Sequence, residues 1–262
     1  MPSIVDAAWV EEHDPVVIDV RDSWAYDGLG HLPNAVNVPF EEIRSDDRGA
    51  GDMLPERADW IARMRAAGLG TDRDLLAYDD DHGVFAARLL VTALLFGHPP
   101  DRLRLLDGDF SAWQRDRSVT DAVPDPAPTD YDPDPPETSP LIDRDGVREA
   151  VDGPAAIVDT RSREEYDEGH IPGAIHLDWR DLVDEDSRGV RAPDDILATL
   201  ADLGIDPDGR IVLYCNTARR ISHTYLVLDD LGIETVSFYE GSLTDWGAAG
   251  EPIVESSDRR SN

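Results

Sequence analysis

Short apolar runs alternate along the chain with longer segments whose apolar residues recur at helical spacing. In the second half, the short runs predict strands and the longer segments predict helices, in the order 155–159, 194–203, 211–214, 221–231 and 236–239. Apolar strands that alternate with helices are typical of a parallel sheet covered by helices. We therefore predict an α/β fold in which a mostly parallel sheet is flanked by helices on both faces.

The chain carries this pattern twice, which predicts two domains. Residues 16–21 (VVIDVR) and 30–36 (GHLPNAV) match residues 156–161 (AIVDTR) and 169–175 (GHIPGAI). A stretch rich in proline and aspartate separates the copies and is typical of a semi-rigid linker. The predicted boundaries are 1–120 for the first domain, 121–140 for the linker, 141–255 for the second domain and 256–262 for a polar, disordered tail.

The charge of the chain is strongly negative. The chain has 56 Asp and Glu residues and 24 basic residues, all of them Arg, which gives a net charge of −32. A surface of this sign repels nucleic acids and anionic membranes, so we exclude both as partners. Since lysine is absent and Asp greatly outnumbers Glu, we hypothesise that the protein comes from a salt-loving microbe, a halophilic archaeon.

Several features favour a cytoplasmic location. The single cysteine rules out an intramolecular disulfide, which fits a reducing compartment. The first six residues lack a charged region followed by an apolar run, so we predict no signal peptide. The most apolar stretch, 84–96, contains Arg88 and is shorter than the roughly 20 residues that span a membrane. We predict a core helix there.

Cys215 is the candidate nucleophile. It follows the predicted strand 211–214 and precedes the predicted helix 221–231, and ligands of parallel sheets bind at the carboxyl ends of strands. Amide groups and the positive dipole end at a helix N-terminus stabilise a thiolate, and Arg219 and Arg220 add positive charge. A buried core cysteine is the alternative, because that is the commoner environment of this residue type.

Four motifs carry a resemblance to a known family. They are the segment 159–174 (DTRSREEYDEGHIPGA), the loop 214–220 (YCNTARR), residues 222–224 (SHT), and residues 240–242 (EGS) with Trp246. With these motifs, residues 4–254 resemble the tandem-domain rhodanese family of thiosulfate and 3-mercaptopyruvate sulfurtransferases. The resemblance implies two rhodanese-like domains, of which the second keeps the cysteine. The first domain has Asp79 at that position, where we expect a solvated loop residue.

The resemblance also implies a reaction. A sulfane sulfur moves from a small anionic donor, thiosulfate, to cyanide or a thiol acceptor through a persulfide on Cys215, with ping-pong kinetics and neither a metal nor another cofactor. Two alternatives stay open: 3-mercaptopyruvate as the donor, and a persulfide carrier that exchanges sulfur with a protein partner. A cysteine phosphatase is disfavoured, because its signature places an Arg after Cys and five residues, whereas Arg220 comes one position earlier.

The loop after Cys215 supplies the candidate substrate-binding residues. They are Asn216, Thr217 and Ala218, whose amides would form an anion-binding nest, together with Arg219 and Arg220, whose guanidinium groups match sulfonate oxygens. The resemblance supports Arg220 more than Arg219. This chain departs from the family pattern at two positions. It has Ala218 where the family usually has glycine, and Asn216 where many members have a basic residue.

Three further residues are expected to support this loop. We expect Asp159 to accept hydrogen bonds from it, and Ser222 and His223 to satisfy its carbonyl groups. We also expect two nearby arginines, Arg161 and Arg163, to form structural ion pairs. Their expected partners are Glu164, Glu165 or Asp167.

Overall fold

The computed structural model describes residues 3–44, 54–216 and 218–256. The described residues form two compact units. The first unit holds those up to Ser139 together with Val183–Val190, and the second holds Pro140–Leu182 and those from Arg191 onward. Thr217 and the tail residues 257–262, on which predictions were made above, lie outside the described residues. Across the part of the chain that is described, no helix combines the length and the apolar character needed to cross a membrane.

The first unit is built on a five-stranded sheet with the strand order β1-β5-β4-β2-β3 and parallel pairing throughout. The strands are β1 (Ser3–Val5), β2 (Val16–Asp19), β3 (Val36–Asn37), β4 (Leu75–Tyr78) and β5 (Leu103–Leu106). The helices are α1 (Ala7–Glu12), α2 (Ser23–Leu29), α3 (Arg57–Ala66), α4 (Val84–Leu95) and α5 (Asp109–Asp116). Helix α4 is mostly buried, Arg88 included, which confirms the core helix predicted from its apolar run.

The second unit repeats the plan with four parallel strands in the order β7-β6-β8-β9. Its strands are β6 (Ala156–Asp159), β7 (Ile175–His176), β8 (Ile211–Tyr214) and β9 (Val236–Phe238). Its helices are α6 (Arg144–Val151), α7 (Arg163–Glu168), α8 (Pro193–Asp202), α9 (Arg219–Asp230) and α10 (Ser242–Ala248). Two parallel sheets with helices around them confirm the predicted α/β fold. All four residues of β8 are buried, which explains why that strand reads as one apolar run.

The proline-rich stretch between the copies packs on the first unit. Residues 121–136 form neither helix nor strand. Within this stretch Tyr131 is 1% exposed, and Asp132 forms ion pairs with Arg57 and Arg65 of α3. The chain also passes so close to Gly97, whose φ is 99°, that a side chain there would overlap the Asp134 carbonyl. Glycine at this position therefore meets both a steric and a conformational requirement.

His98 makes the stability of the first unit sensitive to pH. Its ring is fully buried, 5.8 Å from that of Tyr131 between centroids. Burial lowers the pKa of His98 to about 4, whereas in an unfolded chain the value is about 6.5. Between these values the unfolded state binds a proton that the folded state does not, so stability falls as the pH drops.

We expect His98→Phe to relieve this sensitivity. The free energy of unfolding of the variant, relative to wild type, should rise by about 2 kcal/mol between about pH 7 and about pH 5. Urea unfolding at each pH measures the difference, and His13→Phe, at an exposed histidine, is the matched control. The same pH dependence in His98→Phe and wild type would contradict the assignment.

Candidate active site

Cys215 lies at the carboxyl end of β8, which is paired on both sides by β6 and β9. Its thiol is free of any disulfide and fully buried. Because β8 is an inner strand, the residue that follows it begins between two neighbouring strands of the sheet. The sequence prediction placed Cys215 at this junction of strand, loop and helix, and the structure has it there.

The loop turns into α9 at Ala218. This residue has a φ of 61°, in the left-handed region that glycine adopts most easily, and it is fully buried. For a residue with a Cβ atom this conformation costs roughly 1–2 kcal/mol. The carbonyl of Ala218 accepts bonds from the Ser222 amide at 3.0 Å and the Ser222 hydroxyl at 2.8 Å. Ser222 thus satisfies a loop carbonyl, and Ala218 adopts a backbone conformation that glycine adopts at lower cost.

Ser242 is a close neighbour of Cys215 to which sequence analysis gave no role. The Cys215 amide donates to Ser242 Oγ at 3.2 Å, and this oxygen lies 4.0 Å from Cys215 Sγ. The Ser242 hydroxyl donates to the Tyr239 carbonyl at 2.9 Å. Its φ of 53° turns the side chain toward the end of β8, and Asp109 in the first unit has the same left-handed conformation, with a φ of 49°. The repeated glycine before each of these residues was the available sequence signal.

Glu165 binds both sides of the cysteine loop. Its Oε1 accepts a hydrogen bond from the Asn216 side-chain amide at 2.9 Å, and its Oε2 accepts one from Arg220 Nη1 at 2.5 Å. Burial alone would raise the pKa of Glu165, but the bonds from Arg220 and Ser162 hold that pKa below its ordinary value. The carboxylate is therefore ionised at neutral pH. Donor binding by Asn216, Arg219 and Arg220 stays a prediction.

The ion pair of Arg161 differs from the expected one, because its partner is Asp159. Asp159 is fully buried and accepts bonds from the amide, Nε and Nη2 of Arg161, at distances of 2.6–3.1 Å. The Tyr214 hydroxyl also donates to Asp159, and burial, then the charge of Asp159, raises the pKa of that hydroxyl, so it stays protonated. That Asp159 accepts hydrogen bonds from the cysteine loop stays a prediction. Asp159 is the last residue of β6, and it anchors the Tyr214 hydroxyl.

The remaining predicted residues have simpler environments. Arg163 pairs with Asp167 on α7, as expected, whereas Arg161 pairs with Asp159 and not with the acidic residues of α7. His223 is fully buried, and its ring meets that of Trp179 edge-on at 5.1 Å between centroids. Arg219 is the first residue of α9 and is half-buried.

The equivalent loop of the first unit surrounds a carboxylate. Asp79 is 2% exposed, so the expectation of a solvated residue is wrong. Its two oxygens accept bonds from four backbone amides at 2.7–3.0 Å, those of Asp81, Gly83, Phe85 and Ala86. Burial raises the pKa of Asp79 to about 6, against the effect of these amides. At neutral pH the loop therefore folds around an anion supplied by its own first residue.

Val183–Val190 supplies a second contact to this loop of the first unit. The Arg188 guanidinium donates to both oxygens of Asp109 at 2.7–3.0 Å and to the Asp80 carbonyl at 3.1 Å. The His82 amide also donates to Asp109 at 3.1 Å. The buried carboxylate of Asp109, at the position of Ser242, is thus paired with a cation from a distant part of the chain.

These features define an α/β protein that carries a cysteine in the loop after an inner strand of a parallel sheet. Residues 6–116 and 143–249 each match the model of the rhodanese-like domain. The chain therefore belongs to the family of proteins with rhodanese-like domains, and it holds two of them.

Known proteins align with nearly the whole chain. A Pseudomonas aeruginosa protein named thiosulfate sulfurtransferase is 30% identical over 92% of this chain and 90% of its own. The sulfur carrier protein TtuD of Thermus thermophilus is 30% identical over 96% of both chains. The crystal structure of Escherichia coli SseA, presented as a 3-mercaptopyruvate sulfotransferase, has a TM-score of 0.81 and 24% identity. It covers 92% of this chain and 99% of that chain and shows the shared fold.

Proposed function

We propose that this sulfurtransferase moves a sulfane sulfur from thiosulfate to cyanide or a thiol through a persulfide on Cys215. The observation that carries the proposal is the position of the thiol. Cys215 occupies the place at which the sister loop in the first unit folds four amides around the anionic Asp79. A loop of this type stabilises the thiolate and, after transfer, the persulfide anion.

The reaction takes place in two halves. The Cys215 thiolate attacks the outer sulfur of thiosulfate, a new S–S bond forms, and the old S–S bond breaks with its electron pair leaving on sulfite. The acceptor then attacks the outer persulfide sulfur and releases the Cys215 thiolate unchanged. Cyanide yields thiocyanate, and a thiol yields a new persulfide. Because the first product leaves before the acceptor reacts, the kinetics are ping-pong.

The proposal also names thiosulfate as the sulfur donor. Arg219 and Arg220 are the first two residues of α9, and guanidinium groups match sulfonate oxygens in pairs. Thiosulfate carries such oxygens, and the relative from Pseudomonas aeruginosa bears that substrate in its name. The second candidate is 3-mercaptopyruvate, which has a carboxylate in place of the sulfonate. A third candidate is a persulfide carrier with a protein acceptor, which the name of the Thermus thermophilus relative favours.

The composition of the chain supports a proposal for the environment in which the protein works. A net charge of −32 without lysine favours a protein adapted to concentrated salt, where counterions screen the carboxylates. We place it in a reducing cytoplasm, in which Cys215 stays a thiol. Assays therefore belong in concentrated potassium chloride with a reductant removed just before use.

A comparison of donors tests the proposal. We expect thiocyanate formation from thiosulfate and cyanide with parallel lines in double-reciprocal plots, and a higher kcat/KM for thiosulfate than for 3-mercaptopyruvate. A higher kcat/KM for 3-mercaptopyruvate would make that compound the donor and leave the proposed sulfur transfer unchanged. A persulfide that forms once on the protein, with no turnover by cyanide or a thiol, would favour the persulfide carrier over the enzyme.

A further inference from the structure

A single carboxylate spans the cysteine loop. Glu165 Oε1 accepts from Asn216, directly after Cys215, and Glu165 Oε2 accepts from Arg220, near the start of α9. These two partners lie on either side of Ala218, the residue in the left-handed conformation. One rigid group therefore fixes the distance between the two ends of the loop.

Glu165 is itself held in place by the start of α7. The Ser162 amide and hydroxyl donate to Glu165 Oε2 at 3.1 and 2.9 Å, and the Glu165 amide donates back to Ser162 Oγ at 3.3 Å. Helix α7 begins just after β6, and β6 pairs directly with β8. The Glu165 side chain is 28% exposed, so it is shielded from much of the solvent. The carboxylate thus links the loop to the neighbouring strand of the same sheet.

The first unit shows what the loop looks like without this link. Aligning Asp19 with Asp159 and Tyr26 with Tyr166 places Ala25 at the position of Glu165, and a methyl group has no acceptor. There the loop is held from inside by the carboxylate of Asp79. An internal carboxylate cannot serve the second unit, because it would occupy the place of the thiolate and repel an anionic donor. The carboxylate of the second unit lies outside the loop.

We propose that Glu165 is a positioning residue for sulfur transfer, which holds Asn216 and Arg220 so that the loop keeps Cys215 oriented toward the donor. The inference rests on the proposed function, because Cys215 must carry the sulfur. In this role Glu165 acts on the loop rather than on the donor or the sulfur. Its effect passes through its two hydrogen-bond partners, and small displacements of a reacting group are enough to slow a reaction strongly.

The test compares Glu165→Ala with Glu165→Gln. Alanine removes both acceptors, and we expect persulfide formation from saturating thiosulfate to slow by about 10-fold or more. Glutamine can accept from Arg220 through its carbonyl and donate to a rotated Asn216 amide, so we expect a rate within about threefold of wild type. Glu164→Ala, which removes an exposed carboxylate one residue earlier, is the matched control and should not change the rate.

The rate is read as the mass of one added sulfur atom on the intact protein, sampled during a single turnover, and urea unfolding is measured in parallel. Slow loading in a Glu165→Ala variant that urea unfolding shows to be folded, with recovery in Glu165→Gln, supports the inference. Equal loading in wild type and Glu165→Ala overturns it, and so does a Glu165→Gln variant as slow as alanine. No persulfide in the wild type would overturn the proposed function itself.

Discussion

Cys215→Ser is expected to abolish sulfur transfer from both thiosulfate and 3-mercaptopyruvate. A serine hydroxyl is a much weaker nucleophile than a thiolate at neutral pH, and it cannot form a persulfide. We expect kcat to fall by a factor of about 10³ or more, the scale on which loss of a catalytic nucleophile acts. Thiocyanate production from cyanide, in concentrated potassium chloride, measures the loss.

The fold should survive this change. Cys215 is fully buried, and serine replaces it without added bulk, so the midpoint of urea unfolding should stay close to that of wild type. A folded variant without activity then assigns the loss to the sulfur atom. Turnover of either donor at the wild-type rate by Cys215→Ser would show that another group accepts the sulfur.

Asp159→Ala is expected to have the largest effect on stability. It removes the carboxylate that pairs with Arg161, whose side chain is 4% exposed, and leaves a guanidinium group buried without its counter-charge. Breaking a buried ion pair in this way costs about 3–5 kcal/mol. Urea unfolding followed by circular dichroism measures the change in the free energy of unfolding.

Two comparisons sharpen this prediction. Asp208→Ala, at an exposed aspartate, is the control and should change the free energy of unfolding by less than about 0.5 kcal/mol. The double variant Asp159→Ala/Arg161→Leu should recover part of the loss, because it also removes the unpaired charge. A loss in Asp159→Ala no greater than in Asp208→Ala would contradict the role of this ion pair.

The architecture and the place of Cys215 can be predicted from the sequence because both depend on local patterns. The apolar run 211–214 becomes the fully buried β8, and the segment from 221 becomes part of α9, which begins two residues earlier at Arg219. A parallel sheet always presents the carboxyl ends of its strands at one edge. Cys215, the residue after β8, is therefore expected at that edge.

The contacts of the loop could not be predicted in the same way. The capping pattern of Ser162 and Glu165 is visible in the sequence. The hydrogen bonds that Glu165 accepts from Asn216 and Arg220 span 51 and 55 residues, however, and they depend on the pairing of β6 with β8. Ser242 reaches the Cys215 amide because of a left-handed backbone conformation that its residue type does not favour.

The prediction of a solvated Asp79 is wrong for a related reason. An aspartate among other aspartates is typical of a solvated loop, and its burial depends on four amides that converge on one carboxylate. That convergence requires the left-handed conformations of His82 and Gly83, with φ values of 57° and 82°. Hydrophobic periodicity carries no information about such backbone angles.

A persulfide on Cys215 is detectable by intact-mass measurement of the wild-type protein after exposure to thiosulfate. We expect a gain equal to one sulfur atom, located on Cys215 by peptide mapping and removed by cyanide with release of thiocyanate. A protein whose mass does not change, or whose added sulfur lies on a residue other than Cys215, would contradict it.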